Sequence, residues 1–217
     1  MSYGSYIAPA FVGYILGSLP FGYLVAKAHG VDIFKAGSCN PGATNVKRVL
    51  GSKAGNTVFA LDAVKGAVAA GWVYFMAGPG TPDWKLLSLV GVIAAILGHS
   101  FSIFTRFKGG KGVATAAGGL LVLMPVSCLI GCLVWVVTFY ASRYVSLGSI
   151  LAAIAVPIAG WLRGNPLPLN IVATLIGAFV VYRHRENIRR LANGTENRFV
   201  RKPAPSPTAD GKTGIGS

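Results

Sequence analysis

The spacing of the charged residues limits what this chain can fold into more than any other feature. Long stretches contain no Lys, Arg, Asp or Glu, and they cover residues 1–26, 86–105, 112–142, 144–162 and 164–182. Apolar runs of about 18 or more residues are long enough to cross the hydrocarbon core of a bilayer as helices. The 217-residue chain is 53% hydrophobic and 12% charged, whereas soluble domains carry about 25% charged residues. The sequence therefore predicts an all-α, polytopic membrane protein.

The charges that are present are strongly biased to one sign. Lys and Arg number 20 against 6 Asp and Glu, which gives a formal net charge of +14. Such an excess is also typical of nucleic-acid-binding proteins, but here the basic residues flank apolar runs, so membrane lipids and not nucleic acid are the expected partners. Short cytoplasmic loops are enriched in Lys and Arg. Because the basic residues cluster in segments 27–53, 105–111 and 183–202, we predict that these segments are cytoplasmic and the N-terminus external.

The number of membrane segments follows from keeping the three basic segments on one side. Spans are predicted near residues 5–26, 55–77, 86–104, 147–162 and 168–182. One crossing within residues 113–140 would leave segment 183–202 outside, and a helix over that region is only about 42 Å long, too short for two full crossings. A pair of short helices broken near Met124 and Pro125, one of them crossing only partway, resolves the conflict.

We therefore predict seven transmembrane segments, with the N-terminus outside and the C-terminus in the cytoplasm. Residues 1–202 form a single domain in this interpretation. Residues 203–217 are rich in Pro, Ser, Thr and Gly, a composition typical of disordered tails.

One predicted cytoplasmic loop has the composition of an anion-binding loop. Residues 37–48 read GSCNPGATNVKR. Small residues let the backbone approach a ligand closely, the Ser, Thr and Asn side chains offer hydrogen bonds, and Arg48 can form a bidentate pair with a phosphate. An ordinary polar turn before a helix uses many of the same residue types, and that alternative stays open at this point.

A second cytoplasmic loop combines glycines with positive charge. Residues 106–115 read RFKGGKGVAT and precede a predicted helix. Exposed backbone N–H groups, the electropositive start of the helix and the charges of Lys108 and Lys111 all favour a phosphate. The Walker A spacing is absent and no strand precedes the loop. The alternative is a membrane-proximal loop whose lysines contact anionic lipid headgroups.

Ionisable residues within the apolar runs are further candidates. Asp62 and Lys65 are three positions apart and share one face of a predicted helix. Such groups are costly in a membrane and usually face the bundle interior, either as a pair that anchors the helix or as groups that face a substrate. His99 and His184 are candidate general bases or structural hydrogen-bonding groups. The histidines and cysteines show no metal-ligand spacing, so neither a metal nor a cofactor is expected.

Several motifs, taken in order along the chain, resemble those of one enzyme family. They are GSLPFGY at 17–23, the loop at 37–48, DAVKG at 62–66, GHS at 98–100, the loop at 107–115, RYVSLGS at 143–149, RHREN at 183–187 and GTE at 194–196. In this order and combination the motifs are similar to those of bacterial acyl-phosphate:glycerol-3-phosphate acyltransferases, integral membrane enzymes that make lysophosphatidic acid. The resemblance extends from residue 17 to about residue 197.

The resemblance implies an activity and a location. A member of this family would have seven transmembrane helices in the bacterial plasma (inner) membrane and an active site facing the cytoplasm. It would transfer an acyl group from an acyl phosphate, and not from acyl-CoA, to the sn-1 hydroxyl of glycerol 3-phosphate during phospholipid synthesis. The His-x-x-x-x-Asp arrangement of other glycerolipid acyltransferases is absent here, because Phe34, Phe104 and Arg189 stand five positions after the three histidines.

The resemblance also assigns roles to individual residues. The phosphate of glycerol 3-phosphate is assigned to Ser38, Arg48 and Lys111. The donor phosphate is assigned to Asn40, Gly42, Thr44, Asn45, Gly109 and Gly110. The catalytic candidates are Lys111, His184 and Asn187. The further substrate-binding candidates are Lys108 and Ser149, and the supporting ones are Asp62, Lys65 and His99. Cys39 departs from the family pattern, which usually has Gly at this position.

The expected mechanism needs no covalent acyl-enzyme, because no Ser-His-Asp or Cys-His pair is evident in the sequence. Acyl phosphate is already activated, so the protein would mainly align the hydroxyl with the carbonyl and neutralise the phosphates. The hydroxyl proton would pass to the phosphate of the donor in a substrate-assisted reaction. A transporter of a phosphorylated metabolite is the alternative, since anion-binding loops and an intramembrane Asp–Lys pair also suit that function.

Overall fold

The helices account for nearly all of the regular structure in this protein. The computed structural model describes residues 6–77 and 83–199, and all the regular secondary structure within them is helical. The helices are α1 (Ile7–Ser18), α2 (Phe21–Ala28), α3 (Ala43–Leu50), α4 (Ser52–Ala77), α5 (Trp84–Ser100), α6 (Val113–Leu123), α7 (Pro125–Ser142), α8 (Val145–Leu162), α9 (Leu167–Arg183) and α10 (Arg185–Ala192), with a 3₁₀ turn at Ile103–Thr105. The all-α prediction is confirmed, whereas the predicted tail at 203–217 lies outside the described residues.

Several of these helices are long and apolar enough to cross a membrane. Among the described residues they are Ile7–Ala28, Ser52–Met76, Trp84–Thr105, Pro125–Ser142 and Val145–Leu162. The pair α9 and α10 adds a sixth if it is treated as one span bent by 56°. Helix α6 is apolar but has only 11 residues, about half of what a full crossing needs. The prediction of a polytopic membrane protein is confirmed at this level.

A proline separates α6 from α7 where the sequence predicts a break. Helix α6 ends at Leu123 and α7 begins at Pro125. Proline lacks a backbone N–H and has a fixed φ, so it is accommodated at the first position of a helix and not in its interior. The predicted pair of helices within 113–140 is therefore present, and α6 is the short member.

A second proline interrupts the first span, which the sequence analysis treats as one helix. Helix α1 ends before Pro20 and α2 begins after it. At the interruption, the Leu19 carbonyl accepts hydrogen bonds from the Phe21 N–H at 3.1 Å and from Lys65 Nζ at 2.9 Å. A buried cation is satisfied in this way by backbone inside the bundle.

Small residues bring the helices close together. A Cβ at Gly17 would collide with Ala95 of α5, and a Cβ at Gly66 of α4 would collide with the carbonyl of Thr115 in α6. Close backbone approach at Gly and Ala is the usual basis of helix packing in membranes, where the hydrophobic effect does not drive helices together.

The basic segments predicted to be cytoplasmic meet at one end of the bundle. Arg183 at the end of α9 donates from Nη2 to the Gly110 carbonyl at 2.8 Å. Asn40, in the loop before α3, donates from Nδ2 to the Gly109 carbonyl at 3.5 Å. These contacts place three segments that are far apart in sequence around one site.

Candidate active site

Asn45 organises the first loop from inside. It is 2% exposed, and its Oδ1 accepts hydrogen bonds from the Ser38 backbone N–H at 2.8 Å and from Arg48 Nη1 at 3.5 Å. Its Nδ2 donates to the Ala36 carbonyl at 2.9 Å. Asn45 thus uses its side chain within the loop, and it fixes the positions of Ser38 and Arg48.

Asn40 joins the first loop to the second. Its Oδ1 accepts a hydrogen bond from the Gly42 N–H at 2.9 Å, and its Nδ2 reaches the Gly109 carbonyl. The preceding residue, Cys39, is exposed and has a φ of 56°. That left-handed backbone is strained for a residue with a side chain and unstrained for glycine. Cys39 therefore carries backbone strain that the glycine usual in the family would not.

The glycine-rich loop folds back onto the end of α5. The Gly110 N–H donates to the His99 carbonyl at 3.1 Å, and Thr105 Oγ1 donates to the Lys108 carbonyl at 2.5 Å. Gly112, with a φ of 80°, completes the turn into α6. The Lys108 side chain is exposed and is not among the pocket walls, whereas Lys111 is one of them.

Lys111 lies on a chain of hydrogen bonds that ends at a buried carboxylate. Its Nζ donates to Asn187 Oδ1, and Asn187 Nδ2 donates to Glu196 Oε1 at 2.8 Å. The same carboxylate accepts hydrogen bonds from Ser146 Oγ at 2.9 Å and from Arg190 Nε at 2.7 Å. These hydrogen bonds fix the side chains of α8, α10 and the C-terminal segment around Lys111.

Burial and nearby charges determine the protonation of Lys111 and Glu196, the two ionisable ends of this series of hydrogen bonds. Burial lowers the pKa of Lys111 to about 8, because the effect of desolvation and of nearby arginines exceeds that of Glu196. Burial alone would raise the pKa of Glu196, but hydrogen bonds from Asn187, Arg190 and Ser146 hold it below its ordinary value. At neutral pH the pocket therefore presents a charged Lys111 that gives up its proton more readily than an exposed lysine.

His184, between α9 and α10, is neutral at physiological pH. It is 3% exposed, and its Nδ1 lies 2.8 Å from the Val180 carbonyl. Because a carbonyl only accepts hydrogen bonds, Nδ1 carries the proton and Nε2 is left as an acceptor. Burial and then the charge of Lys111 lower the pKa of His184 to about 4. His184 is thus a hydrogen-bond acceptor with weak basicity.

Asp62 and Lys65 form the predicted pair, and His99 joins it. Lys65 Nζ lies 2.7 Å from Asp62 Oδ1, and both side chains are at most 4% exposed. His99 Nδ1 lies 3.5 Å from the same carboxylate oxygen. Asp62 and His99 line the polar pocket, whereas Lys65 turns away to the Leu19 carbonyl. The pair therefore anchors the bundle through Lys65 and faces the pocket through Asp62.

The polar pocket opens into a larger apolar groove. The pocket has a volume of about 150 Å³ and the groove a volume of about 460 Å³. The groove runs between α4 and α6 on one side and α7, α8 and α9 on the other. Both are lined by Thr44, Phe59, Trp135, Ser149 and Phe199, among other residues. Cys128 and Cys132 are free thiols in the groove wall.

Most of the predicted site residues meet at the polar pocket. Those that line it are Ser38, Asn40, Gly42, Thr44, Asn45, Arg48, Asp62, His99, Lys111, Ser149, His184 and Asn187. Gly109 and Gly110 contribute backbone atoms next to it. Lys108 and Lys65 are not among its walls.

Sequence reasoning missed several residues at the site. They are Trp135, Ser146, Arg190, Glu196 and Phe199. Glu196 carried a usable signal, because it is one of only 6 acidic residues and lies in a strongly basic segment. Trp135 and Phe199 carried none, since an aromatic residue in an apolar run looks the same whether it faces lipid or a pocket.

Comparison with known proteins agrees with this architecture. A sequence model described as glycerol-3-phosphate acyltransferase matches residues 7–194. The chain belongs to that family. A glycerol-3-phosphate acyltransferase of Aquifex aeolicus is 46% identical over 186 residues, which cover 86% of this chain and 95% of the relative. One of Geotalea daltonii is 46% identical over 188 residues, 87% of this chain and 94% of the relative.

A solved structure extends the family match to three dimensions. The crystal structure of PlsY, an integral membrane glycerol 3-phosphate acyltransferase, in its glycerol 3-phosphate form is 43% identical to this chain with a TM-score of 0.85. The match covers 91% of this chain and 96% of that one. A lysophosphatidic acid form of PlsY gives a TM-score of 0.82 over the same coverage. The family resemblance noted in the sequence is confirmed.

Proposed function

We propose that this protein transfers the acyl group of an acyl phosphate to the sn-1 hydroxyl of glycerol 3-phosphate, forming lysophosphatidic acid and inorganic phosphate. The observation that carries the proposal is the shared wall between the small basic pocket and the large apolar groove. A reaction that joins a small phosphate ester to an acyl chain needs both compartments to meet at the reacting atoms. PlsY has been crystallised in a glycerol 3-phosphate form and in a lysophosphatidic acid form, and these two molecules are the acceptor and the product of the proposed reaction.

The acceptor phosphate binds to Arg48, Lys111 and Ser38 in this proposal. Arg48 lies in α3 and Lys111 in the glycine-rich loop, but they line the same pocket. An arginine fork and a lysine charge together neutralise a phosphate and fix its orientation. Asn45 and Asn187 hold the two cationic side chains in place before the substrate arrives, which lowers the entropy lost on binding.

The donor binds where the pocket meets the groove. Its phosphate lies at the first turn of α3, where Ala43 and Thr44 line the pocket, next to Asn40, Gly42 and the glycine-rich loop. A helix N-terminus favours an anion. Ser149 lies at the junction and is held by Trp135 Nε1 at 3.3 Å. The acyl chain extends from there along the apolar groove.

The transfer proceeds without a covalent enzyme intermediate. The glycerol 3-phosphate oxygen forms a bond to the acyl carbon, and the bond from that carbon to the donor phosphate oxygen breaks. The hydroxyl proton passes to the departing phosphate. His184 Nε2 and Asn187 orient the hydroxyl by hydrogen bonding, and the weak basicity of His184 supports transfer of the proton to the substrate phosphate and not to the imidazole.

The chain crosses the membrane seven times in the proposed arrangement, with the active site facing the cytoplasm of a bacterial cell. The supporting contacts lie at both ends of the bundle. Asn165, between α8 and α9, donates to Ser127 at the start of α7 at 3.2 Å, while the end of α9 meets the glycine-rich loop. An impermeant maleimide added to intact cells should label Arg163→Cys, on an external loop, and not Arg185→Cys, in a background with Cys39 replaced. Labelling of Arg185→Cys instead would reverse the orientation.

The decisive experiment supplies purified protein with glycerol 3-phosphate and either palmitoyl phosphate or palmitoyl-CoA. We expect lysophosphatidic acid from palmitoyl phosphate alone. Product from palmitoyl-CoA would overturn the donor assignment. Absence of product from both, together with uptake of glycerol 3-phosphate into protein-containing vesicles, would favour the transporter.

A further inference from the structure

Arg183 contacts the glycine-rich loop from behind the pocket. Its Nη2 donates to the Gly110 carbonyl at 2.8 Å and to the Gly109 carbonyl at 3.4 Å. The guanidinium carbon lies over the Phe101 ring, 5.2 Å from its centroid, a cation–π contact. Arg183 is not among the pocket walls. Its interactions are therefore with the loop and not with the space that a substrate would occupy.

The opposite face of the loop lies against His99. The Gly110 N–H donates to the His99 carbonyl, and a Cβ at Gly110 would collide with the His99 ring. The ring is oriented by Asp62, whose Oδ1 lies 3.5 Å from His99 Nδ1. Residues 109–110 are thus enclosed between the end of α5 and the end of α9. Glycine has no side chain to hold it, so this enclosure limits the backbone conformations available just before Lys111.

We propose that Arg183 is a positioning residue that fixes the glycine-rich loop and, through it, the Lys111 ammonium for the phosphate of the acceptor substrate. The proposal rests on the acyl transfer proposed above. Arginine suits this position because it donates from Nη2 to two neighbouring carbonyl oxygens while its guanidinium lies over Phe101; a lysine ammonium keeps the charge and loses the planar group that packs on the ring.

The test compares Arg183→Gln and Arg183→Lys with a matched control, Arg185→Gln. The guanidinium of Arg185 lies over the Tyr182 ring and donates to the Tyr182 carbonyl, and it makes no hydrogen bond to the glycine-rich loop. With palmitoyl phosphate saturating, Arg183→Gln should raise KM for glycerol 3-phosphate about tenfold, the scale of one lost charge-assisted hydrogen bond. Arg183→Lys should lie between this variant and the parent protein. Arg185→Gln should leave KM for glycerol 3-phosphate unchanged.

A pH profile separates positioning from a general loss of stability. The charged groups of α3, α9, α10 and the C-terminal segment that act on Lys111 are Arg48, Arg183, Arg190 and Glu196. The other titratable groups at the pocket are Asp62, His99 and His184. KM for glycerol 3-phosphate should rise above about pH 8 as Lys111 loses its proton. Removing the nearby charge in Arg183→Gln should move that rise to higher pH, while Arg183→Lys and Arg185→Gln should leave it in place.

Several outcomes would overturn the proposal. An unchanged KM in a folded Arg183→Gln protein would do so, and so would an equal increase in Arg185→Gln. A parent protein that makes no lysophosphatidic acid would contradict the proposed function instead. Equilibrium binding of glycerol 3-phosphate to the same three variants then decides the role of Arg183 without turnover, and equal affinities would reject it.

Discussion

In the proposed function, Lys111 and Arg48 are held in place before the acceptor phosphate arrives. Each is hydrogen-bonded to an asparagine, Lys111 to Asn187 and Arg48 to Asn45. Lys111→Met should lower kcat/KM for glycerol 3-phosphate by roughly 10- to 100-fold, the scale of one hydrogen bond to a charged group. Steady-state kinetics with palmitoyl phosphate measure the effect.

The control for Lys111 is its neighbour in the same loop. Lys108 carries the same charge but is exposed and outside the pocket. Lys108→Met should therefore change kcat/KM by less than about twofold, since an exposed charge in water contributes little. Equal losses in both variants would mean that the loop contributes bulk charge and not a specific contact.

His184 tests the identity of the proton acceptor. Since burial and the charge of Lys111 lower its pKa to about 4, the imidazole is neutral between pH 5 and 8 and contributes no inflection to the rate there. His184→Gln should keep measurable activity and lose less than about 100-fold, the lower end of what a general base contributes. Inactivity of a folded His184→Gln protein would instead identify His184 as an enzymic base.

At the scale of helices, the contact between α4 and α6 depends on glycine. A Cβ at Gly118 would collide with the Ala63 carbonyl of α4, whereas a Cβ at Gly71 on α4 meets no atom within 4 Å. Gly118→Ala should destabilise the protein by about 1–3 kcal/mol, the usual cost of overpacking. Gly71→Ala should be neutral or stabilising, because alanine is the better helix former. Thermal unfolding in detergent micelles compares the two, and equal midpoints would refute the packing argument.

The sequence predicted the break between α6 and α7 but not the break within the first span. The break before Pro125 was predictable because keeping the three basic segments on one side of the membrane required an interruption within residues 113–140. The break at Pro20 was not predicted, since nothing in the charge pattern distinguishes one span from two short helices. Its consequence is visible only in the fold, where the Leu19 carbonyl beside the break accepts a hydrogen bond from Lys65 of another helix.

For the whole molecule, the groove predicts how acyl chains are accommodated. Cys132 lines the groove, while the next residue, Leu133, is 63% exposed on the outer surface of α7. Cys132→Phe should raise KM for palmitoyl phosphate and spare that for a short-chain acyl phosphate, because the larger side chain fills apolar space. Leu133→Phe should change neither. A Cys132→Phe protein with an unchanged preference for chain length would show that the acyl chain binds elsewhere.

Much of this protein could be predicted from local sequence. Uncharged runs and flanking basic residues indicated the membrane helices, because crossing hydrocarbon is a requirement on each segment separately. The loops at 37–48 and 106–115 were recognisable because glycine, small polar residues and cations suit a phosphate within a few positions. These predictions need no information about which segments pack against one another in the fold.

Only the packed bundle distinguished the residues that face the pocket from chemically identical residues that do not. Lys111 and Lys108 have the same charge in the same loop, but only Lys111 lines the pocket. Ser146 and Glu196 are 50 positions apart and share a hydrogen bond, and the junction of pocket and groove is built from five helices and the C-terminal segment. Such contacts depend on where the helices pack against one another. Helix packing is a property of the whole chain that no short segment encodes.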